Sequence, residues 1–258
     1  MSTHSGQVRR FRTGRHEITI VGGSVVGHRY PANFDVLHVD ATLPFTAVAD
    51  GMGSGRGSRI AGSTTVATLV EAVHAAGPAM DDRRLRVAVA EAQSRVRAAG
   101  AQLGELTGCT LTALLVGPDG EHGWIIQLGD SRVYRLRGGL LELLTVDHTV
   151  AWLGAVHGWY PADSPAAAAA RYQLTRYVGH PDRPEPDLLA VTLRAGDVYC
   201  LCTDGVAEQV EYDRLRKLLG GVREPGGTVD RILADSLAAG GRDNATVALL
   251  TVAPLAVG

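Results

Sequence analysis

Short stretches dominated by apolar and β-branched residues recur along the chain and predict β-strands. They lie at 17–21, 36–40, 45–49, 110–116, 124–128, 133–136, 188–193, 198–202 and 246–252. Glycine-containing turn sequences separate several of them, as in 117-GPDG-120 and 195-AGD-197. Connections this short are typical of antiparallel neighbours, so we expect hairpins and meanders.

Three stretches have the apolar spacing of amphipathic helices. Their apolar positions are Val66, Leu69, Val70 and Val73; Leu85, Val89, Ala92, Val96, Ala99 and Leu103; and Val229, Ile232, Leu233 and Leu237. The first two helices follow one another without an intervening strand, with 77-GPAMDD-82 as the break. Strands grouped with strands and helices with helices predict an α+β fold.

The chain ends and one internal segment depart from this pattern. The first 16 residues are basic and lack an apolar segment, so we expect a flexible tail at 1–16 and no secretory signal. No linker divides the remainder, which predicts a single domain over 17–258. Residues 149–187 are rich in Pro and Ala. We expect a partly helical excursion there, with a flap at about 149–180, because long excursions often serve as lids or binding loops.

Composition narrows the class of protein further. Hydrophobic residues make up 45% and charged residues 20% of the 258 positions, and the net charge of −2 gives no field that would attract nucleic acid. No apolar run is long enough to cross a membrane. An odd number of cysteines, Cys109, Cys200 and Cys202, lies in apolar runs. This predicts buried free thiols and a reducing, cytoplasmic location.

The glycine-rich stretch 48-VADGMGSGRGSRIAGS-63 first suggests a phosphate-binding loop. It fits none of the three standard templates. The chain has no Gly-Lys pair for a P-loop, no G-x-G-x-x-G spacing for a dinucleotide site, and no G-x-S-x-G nucleophile elbow here. The acid in the stretch, Asp50, is therefore more informative than its glycines.

Four aspartates share one context. Asp50, Asp130, Asp204 and Asp243 each lie at the end of a predicted strand, beside glycine or small residues. A single aspartate in such a place is most often a turn former. Four that converge at one end of a sheet would offer the oxygen ligands that hard divalent cations prefer.

Six segments occur in a specific order: 48-VADGMG-53, 108-GCTLTALLV-116, 128-LGDSRVYRLRGGLLELLTVDHT-149, 175-TRYVG-179, 196-GDVYCLCTDGVAEQV-210 and 241-GRDNATV-247. Together they resemble the motifs of the metal-dependent protein phosphatases of the 2C family, bacterial branch. The resemblance extends from about residue 17 to 253. It implies a four-layer α-β-β-α sandwich, with two antiparallel sheets flanked by helices.

The resemblance also implies a centre of two Mg²⁺ or Mn²⁺ ions. Asp50 would bridge both ions, the Gly51 carbonyl would bind one, and Asp204 and Asp243 would hold the other. Asp130, together with Asp204, would hold a third, weaker ion. In the family a hydroxide that bridges the two ions attacks phosphorus, so no protein nucleophile is needed.

The stretch 27-GHRYPANFD-35 resembles the family's phosphate-binding segment. Arg29 would bind the phosphate, and with Asp50 and Asp204 it completes the expected catalytic set. Asn33, Asp35 and Asn244 would support the metal ligands from behind.

The match also departs from the family. Phe34 replaces an acid that helps to hold one metal, and the glycine loop is one residue short and lacks a histidine. His148 is expected to be structural. In the flap, Trp152, Trp159 and Tyr160 are expected to pack beneath it or to touch a substrate protein.

The resulting hypothesis is a cytoplasmic, monomeric phosphatase for phosphoserine and phosphothreonine in proteins, opposing a serine/threonine kinase, without nucleic-acid or membrane partners. One alternative is a sporulation-type phosphatase that acts on a small sigma-factor regulator. Another is a degenerate member that binds phosphoproteins without turnover. Retention of four costly like charges argues against the degenerate alternative.

Overall fold

The computed structural model describes residues 6, 8–161 and 163–255. Two antiparallel sheets form its centre. Their strands are β1 Arg9–Thr13, β2 His16–Val25, β3 Val36–Val39, β4 Phe45–Ala49, β5 Leu111–Val116, β6 His122–Leu128, β7 Arg132–Arg137, β8 Leu140–Leu143, β9 Asp187–Thr192, β10 Val198–Cys202 and β11 Ala245–Pro254. One sheet has the order β1-β2-β11-β10-β7-β8 and the other β3-β4-β5-β6-β9.

Helices lie on the outer face of each sheet and in the flap. They are α1 Arg56–Ala76, α2 Asp82–Leu103, α3 Val150–His157, α4 Pro165–Ala170, α5 Asp204–Ala207, α6 Tyr212–Gly220 and α7 Pro225–Ala238. One core joins α1 and α2 to the five-stranded sheet, and a second joins α6 and α7 to the six-stranded sheet. A third fills the space between the sheets. The predicted α+β fold, a four-layer sandwich, is confirmed.

The apolar spacing of the sequence explains why these helices dock as they do. Val66, Leu69 and Val73 on α1 are all buried, as the period of 3.6 residues requires. The break between α1 and α2 is sharpened at Asp81, whose side chain accepts a hydrogen bond from the Arg84 backbone N–H and caps α2. The predicted pair of successive helices is thereby confirmed.

The N-terminal segment differs from the predicted flexible tail. Arg9–Thr13 form β1, which pairs in register with β2 from Arg9 opposite Ile20 to Thr13 opposite His16. The sequence prediction was wrong here because an edge strand needs only one apolar face, and Phe11 alone provides most of it. Residues 1–5 and 7 of the predicted tail lie outside the described residues.

The flap is partly helical, as predicted, but its aromatic residues are not packed beneath it. Trp152 on α3 is 46% exposed, and Trp159 is 59% exposed. Tyr160 is tied to the start of α3 instead, since its hydroxyl donates to the Val150 carbonyl at 2.9 Å. Of the two alternatives for the tryptophans, packing under the flap was wrong, and contact with a substrate protein stays a prediction.

Two further predictions concern the cysteines and the absence of a membrane-spanning segment. Cys109, Cys200 and Cys202 are buried free thiols, as predicted. In the part of the chain that the structure describes, every helix is too short or too polar to span a bilayer.

Candidate active site

The four aspartates line one cavity of about 490 Å³ at one end of the sandwich. Asp50 follows β4, and Asp130 lies between β6 and β7. Asp204 begins α5 directly after β10, and Asp243 precedes β11. The acids therefore come from both sheets and meet where the two sheets open to solvent.

Close backbone contacts fix the loops that carry these acids. A Cβ on Gly51 would lie 2.7 Å from the carbonyl oxygens of Phe34 and Ser58. A Cβ on Gly205 would lie 1.9 Å from the carbonyl oxygen of Asn244. Both positions thus exclude any side chain. The glycine after Asp50 and the glycine after Asp204 permit neighbouring loops to touch, and this sets the positions of both acids.

Two hydroxyl groups connect Asp50 to Asp130. The Asp50 backbone N–H donates to Thr110 Oγ1 at 2.8 Å, and the Thr110 backbone N–H donates to the Asp50 carbonyl at 2.8 Å. Thr110 Oγ1 in turn lies 2.8 Å from Ser131 Oγ, beside Asp130. The role of Thr110 and Ser131 could not be predicted from the sequence, because an isolated buried hydroxyl has no distinctive spacing.

Asp35 lies behind the cavity and joins several strands. Its Oδ2 accepts hydrogen bonds from Thr203 Oγ1 at 2.9 Å and Thr246 Oγ1 at 2.7 Å. Its backbone N–H donates to Asn33 Oδ1 at 3.0 Å. Asn244 is also buried here, and its Oδ1 accepts from the Gly27 backbone N–H at 3.3 Å. Asn33 and Asp35 therefore lie in a hydrogen-bonded layer behind the acids, whereas Asn244 also lines the cavity.

The electrostatics of the cavity are unfavourable for four carboxylates without a cation. Burial, and then the charge of Asp35, raise the pKa of Asp50 well above its usual value. Burial, followed by the charge of Asp130, does the same to the pKa of Asp204. Burial and the charge of Asp147 raise the pKa of Asp130 to about 7. The pKa of Asp243 is also raised, chiefly by burial.

These residues fit divalent cations by the chemistry of their donors. Among the described residues, the buried Oδ1 atoms of Asp35 and Asp204 have no hydrogen-bond partner. Unpaired buried carboxylate oxygens are costly, and oxygen donors are what Mg²⁺ and Mn²⁺ prefer. No three His, Cys, Asp or Glu residues in the described ranges already converge on one ion position. The acids share a cavity without converging on a single point.

A positive charge lies at the rim of the same cavity. Arg29 lines it, exposed, with its guanidinium carbon 5.4 Å from the centroid of the Tyr30 ring. A guanidinium can bind two phosphate oxygens at once. Tyr30 lines the cavity together with the acids. Its burial, and then the charge of Asp243, raise the pKa of its hydroxyl.

The structure brings most of the predicted site residues together. Arg29, Asp50, Gly51, Asp130, Asp204, Asp243 and Asn244 all line the cavity. Asn33 and Asp35 support it from behind, whereas Phe34 is buried and lines a separate groove. The remaining lining residues are Tyr30, Met52, Gly53, Leu106, Thr110, Tyr172 and Leu174. Their place in the cavity could not be predicted from the sequence, because their types carry no metal-binding pattern.

Comparisons with known proteins agree with the fold. The sequence profile of the protein phosphatase 2C family matches residues 33–239. The chain is 30% identical to the serine/threonine protein phosphatase PstP of Mycobacterium tuberculosis over 230 residues. The match covers 85% of this chain and 42% of PstP, so the chain spans less than half the length of that relative.

A second relative and one solved catalytic domain are similar over nearly the full length compared. The serine/threonine phosphatase stp of Listeria monocytogenes is 25% identical, with 93% of this chain and 94% of that protein covered. The crystal structure of the PstP catalytic domain with two manganese ions superposes with a TM-score of 0.81 at 29% identity. That superposition covers 92% of this chain and 99% of the PstP domain.

Proposed function

Because the chain belongs to the protein phosphatase 2C family, we propose that it is a metal-dependent phosphatase that hydrolyses phosphoserine and phosphothreonine in proteins. The observation that carries the proposal is the shared cavity of Asp50, Asp130, Asp204 and Asp243, with Arg29 at its rim. Cations held by the acids would allow an anionic phosphate to enter this cavity, where Arg29 would also contact it. Four carboxylates with an arginine beside them suit metal-dependent phosphate chemistry, whereas the glycine loop fits no phosphate-binding template.

The acids would hold two Mg²⁺ or Mn²⁺ ions. Asp50 and the Gly51 carbonyl would bind on one side of the cavity, and Asp204 and Asp243 on the other. Asp130 would bind a third, weaker ion. When bound, the ions supply activation of water and neutralisation of the phosphoryl charge.

The remaining site residues bind and orient. Arg29 would hold the phosphoryl oxygens by paired hydrogen bonds. Asp35 is fixed by Thr203 and Thr246 and would orient water that approaches the acids. Asn33 holds Asp35, and Asn244 ties the loop before Gly27 to the start of β11. With these groups preorganised, little reorganisation is needed when phosphate binds.

The proposal extends to the domain organisation, the oligomeric state and the location of the enzyme. Residues 17–258 would act as one catalytic domain, and the protein would be a monomer that opposes a serine/threonine kinase. The buried free thiols support a reducing compartment, for which we propose the cytoplasm.

The proposal is tested by Mn²⁺-dependent hydrolysis of an aryl phosphate and of a phosphothreonine peptide. Asp204→Asn keeps the shape of the side chain and removes its charge, so we expect at least about a hundredfold loss of kcat/KM for both substrates. The matched control is Asp213→Asn on α6, which alters only an exposed ion pair with Arg216. Absence of metal-dependent turnover in the wild type would instead support a phosphoprotein-binding member without activity.

A further inference from the structure

A groove next to the acidic cavity presents two arginines. Its lining residues, which we call the arginine groove, are Phe34, Ser54, Gly55, Arg56, Arg59 and Ile60, around a volume of about 580 Å³. Arg56 and Arg59 are exposed and lie three residues apart on α1, so both guanidinium groups can reach one side of the helix.

The arginine groove adjoins the active site through a series of ring contacts. The Arg59 guanidinium carbon lies 5.8 Å from the centroid of the Phe34 ring. Phe34 meets Tyr30 edge-on, with ring centroids 6.2 Å apart. Tyr30 and Arg29 both line the acidic cavity. One aromatic wall therefore has the cavity on one side and the arginine groove on the other.

Among the described residues, the arginines of the groove lack the ion pairs that arginines on the neighbouring helix form. Arg84, Arg86 and Arg95 on α2 each form an ion pair with a carboxylate. Arg56 and Arg59 form none within 4.0 Å in the described ranges. The adjoining acid, Glu105, accepts a hydrogen bond from the Gly57 backbone N–H.

We infer that the arginine groove binds a second negative charge of the substrate, so that the enzyme prefers phosphoproteins with an acidic or additional phosphorylated residue near the cleaved phosphate. This inference rests on the proposed function. An exposed guanidinium group that lacks an ion-pair partner can form paired hydrogen bonds with either a carboxylate or a phosphate group. The phosphate group carries more negative charge and should bind more tightly. An extended peptide advances about 3.3 Å per residue. The contacts of Arg59 with Phe34 (5.8 Å), of Phe34 with Tyr30 (6.2 Å) and of Tyr30 with Arg29 (5.4 Å) limit the separation of the two arginines to at most about five residues of such a peptide.

The test compares three phosphothreonine peptides of equal length. One is neutral around the phosphothreonine, one carries glutamates three to five residues away on both sides, and one carries a second phosphothreonine there. For the wild type we expect kcat/KM to be about threefold higher with glutamate and about tenfold higher with the second phosphate, relative to the neutral peptide. Both ratios should fall as salt is raised.

The double variant Arg56→Gln/Arg59→Gln should bring both ratios close to one. The matched control is Arg83→Gln on α2, which alters another exposed arginine that lines a different cavity. The inference is overturned by wild-type ratios near one, or by ratios that the double variant leaves unchanged. A thermal melt of each variant checks that the fold is kept.

Failure of the proposed function can be told apart from failure of this inference. If the wild type hydrolysed neither the aryl phosphate nor any peptide, the proposed function would fail. Fluorescence anisotropy of the three labelled peptides would still measure the arginine groove, because binding needs no turnover. Equal affinities for all three peptides would then overturn the inference as well.

Discussion

The backbone N–H of Gly129 donates a hydrogen bond to Nδ1 of His148 at 3.1 Å, one residue before Asp130. Since Nδ1 accepts, a neutral imidazole must carry its proton on Nε2, which lies 3.0 Å from Asp187 Oδ2. Arg176 Nη1 is also 3.0 Å from Nε2, but two donors cannot bond each other, and Asp187 Oδ1 holds the arginine at 2.8 Å. His148 thus positions the loop of Asp130 and does not line the cavity.

Removal of this acceptor should loosen the Asp130 loop. We expect His148→Ala to lower the free energy of unfolding by about 1–3 kcal/mol, because the buried Gly129 N–H loses its partner. It should also raise the Mn²⁺ concentration needed for half-maximal activity, with activity restored at high Mn²⁺. Denaturant unfolding and a Mn²⁺ titration measure the two effects.

The matched control is His122→Ala, which removes an exposed histidine that pairs with Asp119. It should change neither quantity. If His148→Ala stayed folded yet inactive at saturating Mn²⁺, His148 would have a direct role in proton transfer.

Burial lowers the pKa of His148. The imidazole therefore stays neutral at a lower pH than an ordinary histidine does, and the hydrogen bond from Gly129 requires this neutral form.

The acidic cavity should make the metal-free protein less stable as pH rises. Folding raises the pKa of Asp35 to about 6 and that of Asp130 to about 7, so the folded state binds more protons than the unfolded state between pH 4 and 7. Stability therefore falls through that window as pH increases. We expect a loss of about 1 kcal/mol or more between pH 5 and 8, or roughly 2–4 °C in Tm.

Differential scanning fluorimetry with EDTA measures this loss. Asp130→Asn should reduce the slope and raise the Tm of the metal-free protein at pH 8. Mn²⁺ should stabilise the wild type more at pH 8 than at pH 5, since protons compete with the metal for the carboxylates. A metal-free Tm that rises from pH 5 to 8 would show that other groups dominate.

Arg29 should act in phosphate binding more than in the chemical step. We expect Arg29→Gln to raise KM for a phosphothreonine peptide about tenfold, with a smaller change in kcat. Arg29→Lys should recover only part of the loss, because an ammonium group cannot make the paired contacts of a guanidinium. Steady-state kinetics separate the two parameters, with the exposed Arg223→Gln as control. A fall in kcat alone would contradict a binding role.

Phe34→Glu should not tighten metal binding. The Phe34 side chain lines the arginine groove and contacts Tyr30 and Arg59, whereas the acids line the neighbouring cavity. A glutamate there should pair with Arg59 and reduce the preference for acidic peptides. Isothermal titration with Mn²⁺ and the peptide ratios measure both effects. A Kd for Mn²⁺ at least threefold lower in the variant would show that position 34 serves the metals.

The sequence predicts much of this molecule because its elements have strong local patterns. The apolar spacing of Val66, Leu69 and Val73 defines α1, and the aspartates at strand ends predict the cavity. Pattern fails where tertiary context decides. Phe11 is the single apolar residue of β1, so the sequence did not predict the pairing of β1 with β2. The exposure of Trp152 depends on the path of the flap, which no local pattern predicts. Asp35 could be placed behind the acids only through the family resemblance, since its partners Thr203 and Thr246 are distant in sequence.

The contacts at Gly51 and Gly205 separate what the fold requires from what the chemistry requires. A side chain at either glycine would collide with backbone, so the fold itself enforces both positions. The carboxylates of Asp50 and Asp204 beside them lower the stability of the metal-free protein. An asparagine in place of either aspartate would remove this destabilisation. Loss of an acid would therefore leave the fold intact, whereas a side chain at either glycine would disturb the fold whether or not a cation is bound.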